Sequence, residues 1–168
     1  MTVLILFLLF SGILIAQGSL FSLLWPLSYQ PDLLLVFVVS LSILLGEKRG
    51  SLLGLAAGLL QDIFFGPALG LFALTKASTA YLTGLASREI YKDQIIGPIG
   101  IILIITVIHE LLVFFLIRQF FYLNVTWEHF SSPLVFKALG NLAFLIMLYP
   151  LTYNAGKKGR IFPRDIRL

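Results

Sequence analysis

The stretch GLAAGLLQDIFFGPALGLFALTKASTAYLTG, residues 54–84, decides the fold. It holds most of two apolar runs, 50–65 and 69–86, with only Gly66-Pro67-Ala68 between them. A link that short and turn-rich joins antiparallel neighbours, so the runs predict a helical hairpin. Gly50, Gly54 and Gly58 recur every fourth residue on the first helix. Ala73, Ala77, Ala80 and Gly84 make a comparable small face on the second. Such spacing lets two backbones approach closely. Asp62 continues the glycine stripe and Lys76 borders the alanine face, so both charges are expected to point inward and to pair. The pair either neutralises itself and fixes packing, or takes part in binding a ligand or partner.

Outward from the hairpin, the composition says the same thing. The 168 residues are 59% hydrophobic and 12% charged, about half the charge of a soluble domain. Mean hydropathy is +1.00. There are too few polar residues to give every element a wet face, and there is no cysteine. A soluble enzyme, a disordered chain and a disulfide scaffold are excluded. The expectation is an all-α polytopic membrane protein, a single domain of six transmembrane helices at 3–24, 31–46, 50–65, 69–86, 95–117 and 134–153, with a basic tail over 154–168. The first run lacks the basic start of a signal peptide and is too long for one. The second is expected to begin near Pro31, which suits a first helical position.

Basic residues orient the bundle. With six spans, Lys48, Arg49, Arg88, Lys92, Lys157, Lys158, Arg160, Arg164 and Arg167 share one side, against Arg118 on the other. Both termini are therefore expected in the cytoplasm. A five-span arrangement, with one short run dipping in and returning, would separate the basic tail from the other clusters. The link from Arg118 to Pro133 is the one long connection, and its aromatic residues suit the membrane surface. Its Asn124-Val125-Thr126 matches a glycosylation acceptor, a pattern too short to carry weight. Neither side has room for a soluble catalytic domain.

Ionisable groups inside spans are costly and hence informative. Asp62, Lys76, His109, Glu110 and Lys137 all fall within predicted spans, in the outer half, and Asp32 lies at the mouth of one. They predict one shared polar cluster, in which Glu110 meets Lys137 or Arg118 and His109 finds a hydroxyl or carbonyl. The run His109-Glu110-Leu111-Leu112-Val113 lacks the second histidine of a zinc-protease helix, so no metal is expected. No serine or threonine has a base beside it and no phosphate loop is present, so neither catalytic residues nor a cofactor are expected. The tail suits anionic lipid headgroups, and nucleic acid binding would need more than so short a stretch.

Pro31-Asp32-Leu33-Leu34-Leu35, the basic turn, the block Gly54 to Asp62, and the block Gly66 to Leu74 followed by Tyr81-Leu82-Thr83-Gly84 together resemble the rod shape-determining protein MreD family over residues 31–85. Lys76 stands outside the family pattern. The resemblance implies a non-enzymatic scaffold in the bacterial inner membrane that binds MreC and supports cell shape and sidewall peptidoglycan synthesis. Through that complex it implies indirect links to MreB, RodA and a class B penicillin-binding transpeptidase. Pro31, Asp32, Gly54, Gly58, Asp62 and Gly70 are then the motif residues, holding a partner site or the structure itself. The family is also similar in fold to substrate-binding subunits of energy-coupling-factor transporters. The alternative function is accordingly a vitamin-like ligand-binding subunit, although span one is bulky where such subunits carry small residues for docking.

Overall fold

The computed structural model describes residues 2–24, 26–120 and 126–157, and among these it is all helical, with no strand. Helix α1, Thr2–Ala16, continues through a π-helical turn, Gln17–Phe21, and a last short turn, Ser22–Leu24. Then follow α2, Leu33–Leu45, α3, Glu47–Phe65, α4, Leu71–Ala86, α5, Ile96–Phe120, and α6, Trp127–Lys157. Ile96–Phe120 and Phe130–Lys157 are long and apolar enough to cross a membrane, while Leu4–Ser19 and Leu33–Leu45 are shorter apolar helices. The tail beyond Lys157, and Asn124 and Val125 of the acceptor triplet, lie outside the described residues.

Helix α2 is the axis of the bundle. Every residue from Leu34 to Leu44 is buried, and α2 touches each of the other five helices. One of its faces, Leu34, Phe37, Val38 and Leu41, packs on Leu6, Phe10 and Leu14 of α1 and on Ala57 and Ala80 of the hairpin. The opposite face, Leu35, Val36, Val39 and Ile43, packs on Ile101, Ile102 and Ile105 of α5 and on Leu145 and Tyr149 of α6. A helix apolar all round belongs inside. Ser40 and Ser42 donate to Val36 and Val38 carbonyls of their own helix, so neither hydroxyl needs an outside partner.

The expected hairpin is α3 with α4, the most extensive helix pair in the fold. A Cβ on Gly54 would lie 2.5 Å from the carbonyl oxygen of Lys76, and one on Gly58 would lie 2.5 Å from Cα of Ala73. Backbone meets backbone there, so no side chain can give way. Gly54→Val and Gly58→Val should each cost about 1–3 kcal/mol through forced separation of the pair, read as a lower unfolding midpoint in detergent. Unchanged midpoints would show that the helices can part freely.

Four helix starts differ from the sequence expectation, each for a local reason. Helix α2 begins at Leu33 and not at Pro31, because Asp32 is its N-cap and accepts from the backbone N–H of Leu35 at 2.8 Å. Helix α3 begins at Glu47, since Gly46 alone, at φ 81°, makes the turn and its N–H bonds the carbonyl of Ser42. Lys48 and Arg49 therefore lie in the first turn of α3. Helix α4 begins at Leu71, after Gly70 at φ 102°. Helix α6 begins at Trp127 and takes in Pro133, so part of the supposed surface link is helical. Trp127 and Phe130 pack with Phe114 of α5 into an aromatic cluster, centroids 4.9–5.9 Å apart, which closes that end of the bundle.

At the opposite end Glu47 accepts from the guanidinium of Arg88, tying the start of α3 to the turn after α4. That hydrogen bond holds the Glu47 carboxyl below its ordinary range. The contact is thus intact at neutral pH and is lost as pH falls through the lowered value.

Candidate functional site

Lys76 of α4 is wholly buried, 0% exposed, and its ammonium forms an ion pair with Asp32. This corrects the expected pairing with Asp62. A buried lysine needs an anion facing it around the helix axis as well as one at its depth. Asp32, at the head of α2, meets that condition. The Asp32 carboxylate caps its own helix and neutralises Lys76 at once, while its backbone N–H donates to Oδ1 of Asn141 at 2.8 Å. Asn141 in turn donates to the hydroxyl of Thr106 at 3.1 Å, so α2, α4, α5 and α6 meet in one polar chain. Pro31 sits beside it under α6, where a Cβ on Gly140 would come within 2.8 Å of the ring.

Asp62 has a different occupation. Its carboxylate accepts from the backbone N–H groups of Gly70 at 2.9 Å, Phe72 at 2.8 Å and Ala73 at 3.0 Å. It is an N-cap for α4 supplied from the neighbouring helix. These are three of the donors that a helix start leaves unpaired, and no other group in the turn could satisfy them together. Gly58 lets α3 come near enough for that reach, and Gly70 turns the chain into it.

On the far side of the axis Lys137, one of the two partners the sequence offers, donates to Glu110 at 2.7 Å. His109 is 2% exposed, and its Nδ1 lies 3.7 Å from Glu110, beyond a direct hydrogen bond. Neither imidazole nitrogen has a hydrogen-bond partner among the described residues, so the expected hydroxyl or carbonyl is not there. Also among the described residues, no three histidine, cysteine, aspartate or glutamate side chains gather as a metal would require.

These groups surround a cavity of about 320 Å³. Asp32, His109, Glu110 and Lys137 line it, Lys76 reaches it through Asp32, and Asp62 does not line it. Gln17, Gln30 and Gln61 complete the polar wall, and Leu14, Phe65, Phe72 and Val113 the apolar one. The glutamines were missed because they carry no charge. The signal was nonetheless present, since each interrupts or adjoins an apolar run. Gln17 opens the π-helical turn of α1, an irregularity that often marks a functional position.

No curated protein and no solved structure matches the chain. A family model described as rod shape-determining protein MreD matches residues 1–157. That match takes in both ion pairs, the Asp62 cap and the whole cavity wall, from the first helix to the last residue of α6. The chain therefore belongs to the rod shape-determining protein MreD family.

Proposed function

We propose that the chain is a non-enzymatic scaffold of the bacterial elongation complex, crossing the inner membrane six times with both termini cytoplasmic. In that role it binds MreC, and through the complex it supports MreB, RodA and a class B penicillin-binding transpeptidase in sidewall peptidoglycan synthesis. The observation that carries this reading is the family match over residues 1–157, a family named for rod shape determination. The geometry agrees with a scaffold. Its buried charges are committed to internal pairs and caps, whereas α3 presents Leu52, Leu55, Leu59 and Ile63 outward at helical spacing. Such a stripe suits lipid or a single partner helix. Pro31, Asp32, Gly54, Gly58, Asp62 and Gly70 then act by holding the helices in place, and nucleic acid has no part.

Deleting the gene in a rod-shaped host should give rounded cells, and tagged full-length chain should bring MreC down from solubilised membranes. Normal rods together with no recovered MreC would overturn the proposal. A vitamin-like ligand-binding role in a transporter is favoured by one observation, the cavity.

A further inference from the structure

We propose that the cavity binds a zwitterionic group, an ammonium and an oxyanion a few bonds apart, carried on an apolar body. The recognition element is the Glu110–Lys137 pair. Two ion pairs border the cavity, and they differ in access. Lys76 is wholly buried behind Asp32, so that pair shows the cavity a carboxylate alone. Glu110 and Lys137 both line the cavity and keep 14% and 19% of their side chains exposed.

Their mutual contact leaves most of their bonding capacity unused. An ammonium carries three N–H donors, and both oxygens of a carboxylate accept. Among the described residues Lys137 uses one donor, toward Oε2 of Glu110 at 2.7 Å. Oε1 of Glu110 has only Nδ1 of His109 near it, at 3.7 Å, beyond a direct hydrogen bond. The wall therefore offers a free donor and a free acceptor of opposite charge, side by side. A ligand oxyanion on Lys137 and a ligand ammonium on Glu110 would close a ring of four alternating charges. Asp32 stands in the same wall as a further acceptor for the ammonium. A net anion or cation gains one of these contacts, meets the like charge of the pair's other member beside it, and loses its hydration. The zwitterion brings no net charge into a wall whose own charges cancel. Its apolar body would rest on Leu14, Phe65, Phe72 and Val113. The volume, about 320 Å³, suits one small molecule. Zwitterions of this pattern come from two sources, a free amino acid and an aminophospholipid headgroup.

The inference concerns occupancy alone and does not depend on MreC binding. Its test uses the full chain in an uncharged maltoside detergent and three probes of matched shape, read by thermal unfolding. Phenylalanine carries both charges, 3-phenylpropanoate lacks the ammonium, and phenethylammonium lacks the carboxylate. Phenylalanine should raise the unfolding midpoint saturably. The other two should bind at least about tenfold more weakly, since each lacks one charge-assisted hydrogen bond. Glu110→Gln combined with Lys137→Met, a double change that strands no charge, should erase that preference. Val113→Phe, which fills the cavity from its apolar wall, should abolish binding. Far-ultraviolet circular dichroism of the free variants separates lost binding from lost fold, and the probe series on the parent chain decides the matter if a variant fails to fold. The lipid source is read by native mass spectrometry from nanodiscs of mixed phosphatidylethanolamine and phosphatidylglycerol. Phosphatidylethanolamine retained by the parent and lost by the double variant, with no effect of phenylalanine, would assign the zwitterion to a headgroup. Binding of either singly charged probe as tightly as phenylalanine would overturn the proposal. So would the absence of any saturable effect of phenylalanine together with no preference for phosphatidylethanolamine.

Discussion

Lys76→Met should be among the most damaging single changes in the chain, costing about 3–5 kcal/mol because it leaves the Asp32 carboxylate buried without its cation. The loss is to be read from unfolding in detergent, or from the folded yield in membranes. Its cause can be isolated. Adding Asp32→Asn to Lys76→Met removes the stranded charge while keeping a side-chain oxygen to cap α2 at Leu35. The double variant should recover to within about 1 kcal/mol of the parent, since replacing both members of a buried pair is often near neutral. A double variant as unstable as Lys76→Met would show that lysine packing, and not charge, carries the effect. Lys76 does pack, with its ammonium 5.8 Å from the Phe72 ring centroid.

Asp62→Ala ranks beside it. Three backbone N–H groups, those of Gly70, Phe72 and Ala73, lose their acceptor in one step. Hydrogen bonds to a charged acceptor are worth about 1.5–3 kcal/mol each, and their losses at one site overlap, so a total of roughly 3–5 kcal/mol is expected. Asp62→Asn, with a single acceptor oxygen, should fall between the parent and Asp62→Ala. The measurement that matters most is a double-mutant cycle between Asp62→Ala and Lys76→Met. If the two side chains formed a pair, their effects would be strongly non-additive. With Asp62 serving as a cap and Lys76 bound to Asp32, the two share only Phe72, whose N–H meets Asp62 and whose ring lies under the Lys76 ammonium, so a coupling of about 1 kcal/mol or less is expected. A coupling well above that value would restore the pairing which the sequence suggested.

The contrast between those two aspartates shows how far the sequence could be read. The hairpin was legible because its cause is local: glycines at every fourth position and a Gly-Pro turn speak for themselves. Depth narrows the partner of Glu110 to Lys137 or Arg118, and the partner is Lys137. Depth failed for Asp62 because it says nothing of direction around the helix axis, nor that the turn's own N–H groups would claim the carboxylate first. Asp32 was noticed at the mouth of its helix, yet nothing local announced a partner forty-four positions later. The start of α6 was hidden by Pro133, which reads as a stop. It costs one intrahelical bond, and the packing of Trp127 and Phe130 on Phe114 offsets the loss. Neutral amides leave no mark in a pattern of charges, although Gln17, Gln30 and Gln61 form much of the cavity's polar wall.

The enclosure of α2 also bears on how the molecule is made. At about 1.5 Å per residue its helix is roughly 20 Å long, well short of the ~30 Å of hydrocarbon. Protein surrounds it from Leu34 to Leu44. Four of the five helices of its jacket follow it in the chain, and Leu35, Val36, Val39 and Ile43 wait uncovered until α5 and α6 arrive. A chain halted after α4 would hold a complete hairpin and an unfinished axis. The bundle around α2 is therefore completed from the carboxyl-terminal side.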